Sequence, residues 1–222
     1  MHSVKPLGER PDSDLVERFD GIPTSIIADV TGDDKRTMES AIKPVRDETT
    51  MAGSALTVKV APGDNLVIHK AITMAEPGDV LVVDAEKHVE SAHVGELMCT
   101  SCAANDLAGV VIDGAVRDRR ELVDLGFPVY ARGVHPQGPK KNNPGSINVP
   151  ISCGGRSVHP GDIVVGDDEG VVVVPASDAA SILPEAEAKL SHESDLRKRV
   201  REGEYLFDLQ GYESLYEEIQ NA

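Results

Sequence analysis

The run Gly109-Val110-Val111-Ile112-Asp113-Gly114-Ala115-Val116-Arg117-Asp118 decides the fold. Val110 to Ile112 reads as a short buried strand that runs into a glycine turn. The turn presents Arg117 and Asp118 side by side. A charged pair at the end of an apolar strand costs desolvation energy unless it has a partner or a task. In an α/β protein the carboxyl end of a strand is where ligands sit. The structural alternative is a salt-bridged pair, with Asp118 capping the helix that follows. Local pattern leaves both readings standing.

Outward from this strand the chain alternates between strand and helix signals. Val94 to Leu107 reads as a helix upstream of it, and Arg119 to Leu125 as a short helix downstream, closed by Gly126. Strands are expected at Ala55–Val60, Val80–Asp84, Phe127–Ala131, Ile147–Ile151, Ile163–Val165 and Val171–Val174. Pro-Gly-Asp recurs at 62–64, 77–79 and 160–162, where Pro-Gly fits the centre of a type II turn. The second and third copies feed strands; the first is expected to open a helix from Asn65 to Ala75. Residues 132–147, rich in Gly, Pro, Asn and Lys, read as a long loop, a common place for function. Nearer the N-terminus, helices are expected at 12–20 and 24–30, followed by a turn at Thr31-Gly32-Asp33-Asp34. Ala176 to Arg201 reads as a long helix ended by Gly203, and Tyr212 to Gln220 as a last short one. The expected organisation is an arm and helix over 1–20, an α/β body over 21–175, and a helical extension over 176–222. The extension would pack on the body or on a neighbouring subunit.

Composition narrows the function. The 222 residues are 40% hydrophobic but only 3% aromatic, so the core is aliphatic. With 38 acidic against 22 basic side chains the formal charge is −16. Such a surface repels phosphate backbones, which argues against nucleic-acid binding, while a basic partner or metal cations remain compatible. No apolar run reaches the length of a membrane span, and residues 1–14 lack a signal core. Three cysteines argue against a disulfide framework and for a reducing cytoplasm.

Several chemistries are disfavoured by what the chain carries. Cys99-Thr100-Ser101-Cys102 is a CxxC inside an expected helix, without the second CxxC of a zinc site, and reads as two small buried residues. The histidines, among them His69, His88, His93, His135 and His159, lack metal-ligand spacing. Gly166-Asp167-Asp168-Glu169-Gly170 lacks the alternating oxygens of a calcium loop and reads as a solvated turn. Lys59 and Lys70 are Schiff-base candidates by position alone, and Lys140 and Lys141 fall in a polar loop that does not desolvate an amine.

What remains is a carboxylate and arginine set. Glu96 follows Gly95 at a helix start, and twenty residues separate it from Arg117. On consecutive elements these two places meet at one end of the sheet. Amides near Gly95, Leu97 and Met98 would favour an anion, and Arg117 would grip a carboxylate. Asp118 and Glu96 would hold a hard divalent cation, directly or through water. The set suits an α-keto acid head.

Gly95-Glu96-Leu97-Met98, the 109–118 run, Asn148-Val149-Pro150, Cys153-Gly154-Gly155 and the stretch from Pro160 to Val171 together resemble the RraA-like family. That family includes class II 4-hydroxy-4-methyl-2-oxoglutarate aldolases and the regulator of ribonuclease E activity. The resemblance covers roughly residues 20–175. It implies a swivelling β/β/α fold with a C-terminal helical extension, assembled as a homotrimer or homohexamer with sites between subunits. It also implies a small 2-oxo acid substrate and a magnesium or manganese cofactor. Carried over, Asp118 is the metal ligand, Arg117 contacts the keto acid, and the Gly95 to Met98 amides hold the pyruvyl end. Glu96 stands where the family pattern often has aspartate. Glu193, from a neighbouring subunit, is the candidate for a further glutamate. The implied activity is metal-dependent aldol cleavage with oxaloacetate decarboxylation; the alternative is a non-catalytic protein that binds a ribonuclease. Methyl transfer, another label used in the family, finds no glycine-rich cofactor loop here.

Overall fold

A computed structural model describes residues 2–8, 10–32 and 36–221, so Asp33 and Asp34 of the expected turn lie outside it. Helices α1 (Ser13–Phe19) and α2 (Thr24–Thr31) open the chain and are followed by strands β1 (Lys43–Pro44) and β2 (Met51–Lys59). The centre runs α3 (Leu66–Ile72), β3 (Asp79–Val94), α4 (Glu96–Ala104), β4 (Gly109–Val116), α5 (Arg119–Leu125) and β5 (Val129–Val134). Next come β6 (Ser146–Ile147), β7 (Ile151–Cys153), β8 (Arg156–Val158), β9 (Ile163–Asp167) and β10 (Gly170–Val174). Helices α6 (Ala179–Arg201), α7 (Leu206–Leu209) and α8 (Tyr212–Gln220) complete it.

Among the described residues, one sheet has the order β1-β5-β4-β3-β2-β9-β10, with β6 paired to β2, and β7–β8 forms a separate hairpin. Strands β2 to β5 are mutually parallel. The central strand β4 is buried at every residue, as expected for parallel strands covered on both faces. Side-chain alternation sorts these strands into layers. Leu56, Leu81, Val83, Val110, Ile112 and Val129 face α3, α4 and α5 in one cluster. Ala55, Val80, Val82, Val111 and Tyr130 face the β7–β8 hairpin and Met38 and Ile42 in another. The result is hairpin, sheet and helix in three layers: the β/β/α arrangement with a C-terminal helical extension that the resemblance implied.

Several boundaries differ from expectation. β3 continues ten residues past Asp84, through a corner where Glu86 and Lys87 are left-handed (φ 52° and 60°). Val94 is therefore the last residue of β3, paired with Val116, and α4 begins only after Gly95. The 132–147 loop is trimmed at both ends by β5 and β6. The strand expected over Ile147–Ile151 is split, because Asn148 takes a left-handed φ of 54° ahead of Pro150.

The helical extension docks on its own chain through its first half. Ile182, Leu183 and Ala186 of α6 pack with Phe19, Ile26 and Ile27 over β9 and β10. Helices α7 and α8 bury no residue. Among the described residues no helix is long and apolar enough to cross a membrane.

Candidate functional site

The parallel register brings Val94 and Val116 level at the carboxyl edge of the sheet. Each strand is followed at once by a functional residue: Gly95 and α4 after β3, Arg117 and Asp118 after β4. Asp118 sits in the left-handed region (φ 58°, ψ 41°) as the N-cap residue of α5, yet its side chain makes no capping bond there. Its Oδ2 instead accepts the Glu96 N–H at 3.1 Å, the first amide of α4. Asp118 thus closes the neighbouring helix, from a left-handed backbone conformation that aspartate tolerates. A carboxylate at this helix start is also favoured by the helix dipole.

Arg117 Nε lies 3.4 Å from the same Oδ2. The pair is half-exposed, with side-chain exposures of 44% and 38%, so it is not a closed salt bridge walled inside the protein. Gly95 makes the approach possible. A Cβ there would stand 2.5 Å from Asp118 Oδ2 and 3.1 Å from Arg117 Nε. On the other side Gly138 leaves room more loosely, since a Cβ on it would come within 3.1 Å of Arg117 Nη1, the mobile end of that side chain.

These groups border a cavity of about 270 Å³. Its walls include Gly95, Leu97 and Met98 from the start of α4, Arg117 and Asp118, Asn65 and His69 from the two ends of α3, His93, and Gly138 and Lys141 from the long loop. His93 is buried, and burial together with the nearby His88 lowers its pKa to about 4. It is neutral at physiological pH, and its Nε2 accepts the Gly63 N–H at 3.1 Å. His69 is also shifted below the usual imidazole range, by burial and by the charge of Lys141.

Of the residues expected at the site, the fold brings together Gly95, Leu97, Met98, Arg117 and Asp118. Glu96 contributes its amide, but its carboxylate accepts the Thr100 hydroxyl at 2.8 Å one helical turn on and does not border the cavity. Glu193 lies on α6, where Lys189 Nζ is 3.3 Å away, and does not border it either. Sequence reading missed Asn65, His69, His93 and Lys141 as walls. Only the loop position of Lys141 hinted at it.

Other candidates resolve into structure. Cys99 and Cys102 are buried on α4, and burial raises both thiols, Cys102 to about 12. Lys59 lies 3.7 Å from both Asp84 and Glu86 and is half-exposed. In the acidic 166–170 turn, Asp167 accepts both the N–H and the hydroxyl of Thr24 at 2.8 Å, and Asp168 accepts the Thr49 N–H. Among the described residues no group of three or more His, Cys, Asp or Glu side chains is placed to hold a metal ion.

The fold and site thus describe an α/β protein with an Arg-Asp pair at the carboxyl edge of a parallel sheet, opening on a partly cationic cavity. The family profile for RraA-like proteins (Aldolase/RraA) matches residues 24–173. A protein of Halalkalibacterium halodurans named "Putative 4-hydroxy-4-methyl-2-oxoglutarate aldolase" is 42% identical over 176 residues, 79% of this chain and 83% of its own. The crystal structure of Streptomyces coelicolor RraAS2, described as an unusual member of the RNase ES inhibitor RraA protein family, superposes with a TM-score of 0.78 at 28% identity. It covers 86% of this chain and 100% of that one. An uncharacterized protein from Pseudomonas syringae pv. tomato shares the fold, with a TM-score of 0.80 at 24% identity over 91% of this chain and 100% of its own. The chain belongs to the RraA-like family.

Proposed function

We propose that this protein is a lyase that cleaves 4-hydroxy-2-oxo acids of the 4-hydroxy-4-methyl-2-oxoglutarate type to pyruvate, assisted by a divalent cation, and that it also decarboxylates oxaloacetate. The observation that carries the reading is the open Arg117–Asp118 pair, held against the start of α4 at the mouth of a cavity. The aldolase name of the 42% identical relative supports the same reaction class.

The donor set fits a hard cation. Among the described residues, donors engage Asp118 through Oδ2 and leave Oδ1 open. One carboxylate with water and substrate oxygens is the way magnesium is commonly held, whereas the buried, protonated thiols of Cys99 and Cys102 offer no soft site. Asp118 would hold the cation, with Glu96 beside it through water, and the bound cation would supply Lewis-acid polarisation of the keto acid.

The chain's own residues do the rest. Arg117 binds the carboxylate and meets the negative charge that builds on the 2-oxo oxygen as the C3–C4 bond breaks. Leu97 N–H, in the first turn of α4 at the cavity wall, has no acceptor among the described residues and is available to the ligand's carboxylate. A water held by the Glu96 carboxylate would take the proton of the 4-hydroxyl. The bonding pair of C3–C4 moves into the 2-oxo group, giving the enolate of pyruvate, which is then protonated at C3. In oxaloacetate the same electron pair is left when carbon dioxide departs.

Glu193 enters only from a second copy, because α6 packs over β9 and β10 in its own chain. We therefore propose a homotrimer or homohexamer with shared sites. Light scattering that finds an active monomer would remove Glu193 from the site. The main test follows pyruvate release with magnesium or manganese and then with EDTA. Turnover that persists in EDTA, or in Asp118→Ala, would overturn the metal-assisted reading. The likeness to RraAS2 and the charge of −16 favour a second reading, a regulator that binds a basic ribonuclease partner. Ribonuclease inhibition by Asp118→Ala as strong as by the wild type, with no lyase activity in either, would select it.

A further inference from the structure

We infer that a cavity at the amino end of β2 and β3 is a second binding site, one that takes a small organic ammonium ion with an apolar body. The inference stands apart from the lyase reading above.

Ala52 and Ser54 lie near the start of β2, and Asp79 opens β3, level with Ser54 in the parallel register. With α1 and Arg10 they border a cavity of about 350 Å³. Arg117 and Asp118, by contrast, follow the carboxyl end of β4. The volume falls within the roughly 300–1,000 Å³ of small-molecule sites.

Ser54 is the polar anchor. It is 5% exposed, and its buried Oγ has no hydrogen-bond partner among the described residues. A buried hydroxyl without a partner costs stability and is available to a ligand. Strand alternation puts this side chain on the same face as Ala52, which packs in the cluster of Val16 and Phe19 from α1. The hydroxyl therefore points to the side of the sheet that α1 and the cavity occupy.

Charge decides the ligand class. Arg10 is already engaged: Nε and Nη2 donate to the two oxygens of buried Asp79 at 2.9 and 2.8 Å, and Nη1 lies 3.1 Å from Glu76. Asp79 also accepts the Glu76 N–H at 2.9 Å. An anion thus finds no open guanidinium at this wall. Glu17 and Asp20 border the cavity too, and Arg18, the cation between them in sequence, turns to Glu187 at 2.7 Å. The uncommitted charge is negative. Pro11, Val16 and Pro77 add apolar wall. An ammonium ion donates to Ser54 Oγ and is attracted by Glu17 and Asp20, while its apolar body lies against the prolines and Val16.

Benzylamine, benzyl alcohol and benzoate share one ring and differ in charge. Their dissociation constants are measured by ligand-observed NMR at pH 7.5 on the full chain. Benzylamine is expected to bind at about 1 mM, benzyl alcohol about threefold to tenfold more weakly, and benzoate not at all. Glu17→Gln combined with Asp20→Asn should bring benzylamine down to the alcohol. Glu213→Gln combined with Glu217→Gln, the same charge change on α8, should leave the preference intact. Ser54→Ala should weaken benzylamine about two- to tenfold and raise the melting temperature, because it removes an unpaired buried hydroxyl. Asp118→Asn should leave benzylamine affinity unchanged. The assignment is overturned if benzylamine does not bind, or if the three ligands bind alike. It is also overturned if Ser54→Ala binds benzylamine like the wild type or melts lower, as a purely structural hydroxyl would require. Weaker binding to Asp118→Asn would put the amine in the other cavity and overturn it as well.

Discussion

At the scale of single residues the site depends on a missing side chain. Gly95 is extended (φ −144°) and not left-handed, so its freedom of φ is not what the position needs. It needs the absence of a Cβ, because one would stand 2.5 Å from Asp118 Oδ2. Gly95→Ala must move Asp118, and a displacement on the order of 1 Å at a reacting group costs roughly a hundredfold in rate. We expect pyruvate release to fall by about that factor while the urea midpoint changes little, since the Asp118 side chain is 38% exposed and can give way. Asp118→Ala should be more severe, about a thousandfold or greater, because it removes the carboxylate itself. Equal loss in the two variants, measured by coupled pyruvate detection, would show that Gly95 acts on more than this one contact.

At the scale of elements, legibility followed the local signals. β4 and α5 could be read directly: the first is uniformly apolar, the second is closed by Gly126 at φ 72°. The second half of β3 could not. Its residues from Glu86 to Ser91 are polar apart from Val89, and they extend only because β4 offers partners across a shifted register. That tertiary pairing moved the expected start of α4 from Val94 to Glu96. The site inherited the same division. Arg117, Asp118 and the Gly95–Met98 turn are contiguous in sequence with strand ends and were legible. Asn65, His69 and His93 come to the cavity through packing of α3 against the edge of β3, and no spacing announces it.

His93 is the hinge of that packing and gives a pH prediction. Its folded pKa of about 4 lies below the ordinary 6.5, first through burial and then through His88. The unfolded chain therefore binds more protons between these values, and stability rises with pH across that window. The contribution is full above 6.5 and is lost as pH falls toward 4, when protonation displaces the Gly63 N–H from Nε2. His93→Gln keeps an acceptor and loses the titration. Its urea midpoint should vary less between pH 6.5 and 4 than that of the wild type. Glu39 titrates separately: its pairs with Lys87 and Arg132 lower its pKa to about 2, so its contribution is lost only as pH falls from 4.5 toward 2.

For the whole molecule the governing quantity is charge. At −16 and with a pI near 4.8, the folded chain repels itself at pH 7.5. Its ion pairs oppose this, but several are surface contacts such as Arg18–Glu187 and Arg199–Glu204, of the kind that contribute little individually. Salt shortens the screening length from about 30 Å at 0.01 M to about 10 Å at 0.1 M, so it weakens the long-range repulsion more than the contact pairs. We therefore expect the melting temperature at pH 7.5 to rise between 10 mM and 300 mM sodium chloride. The increment should shrink toward zero as pH approaches 4.8, where no net repulsion is left to screen. A melting temperature that falls with salt at pH 7.5 would mean that the surface pairs outweigh the net charge. Removal of the chain from residue 204 onward, of which 204–221 bury no side chain, would then decide between them, since it takes Glu204 from Arg199 and leaves the three apolar clusters whole.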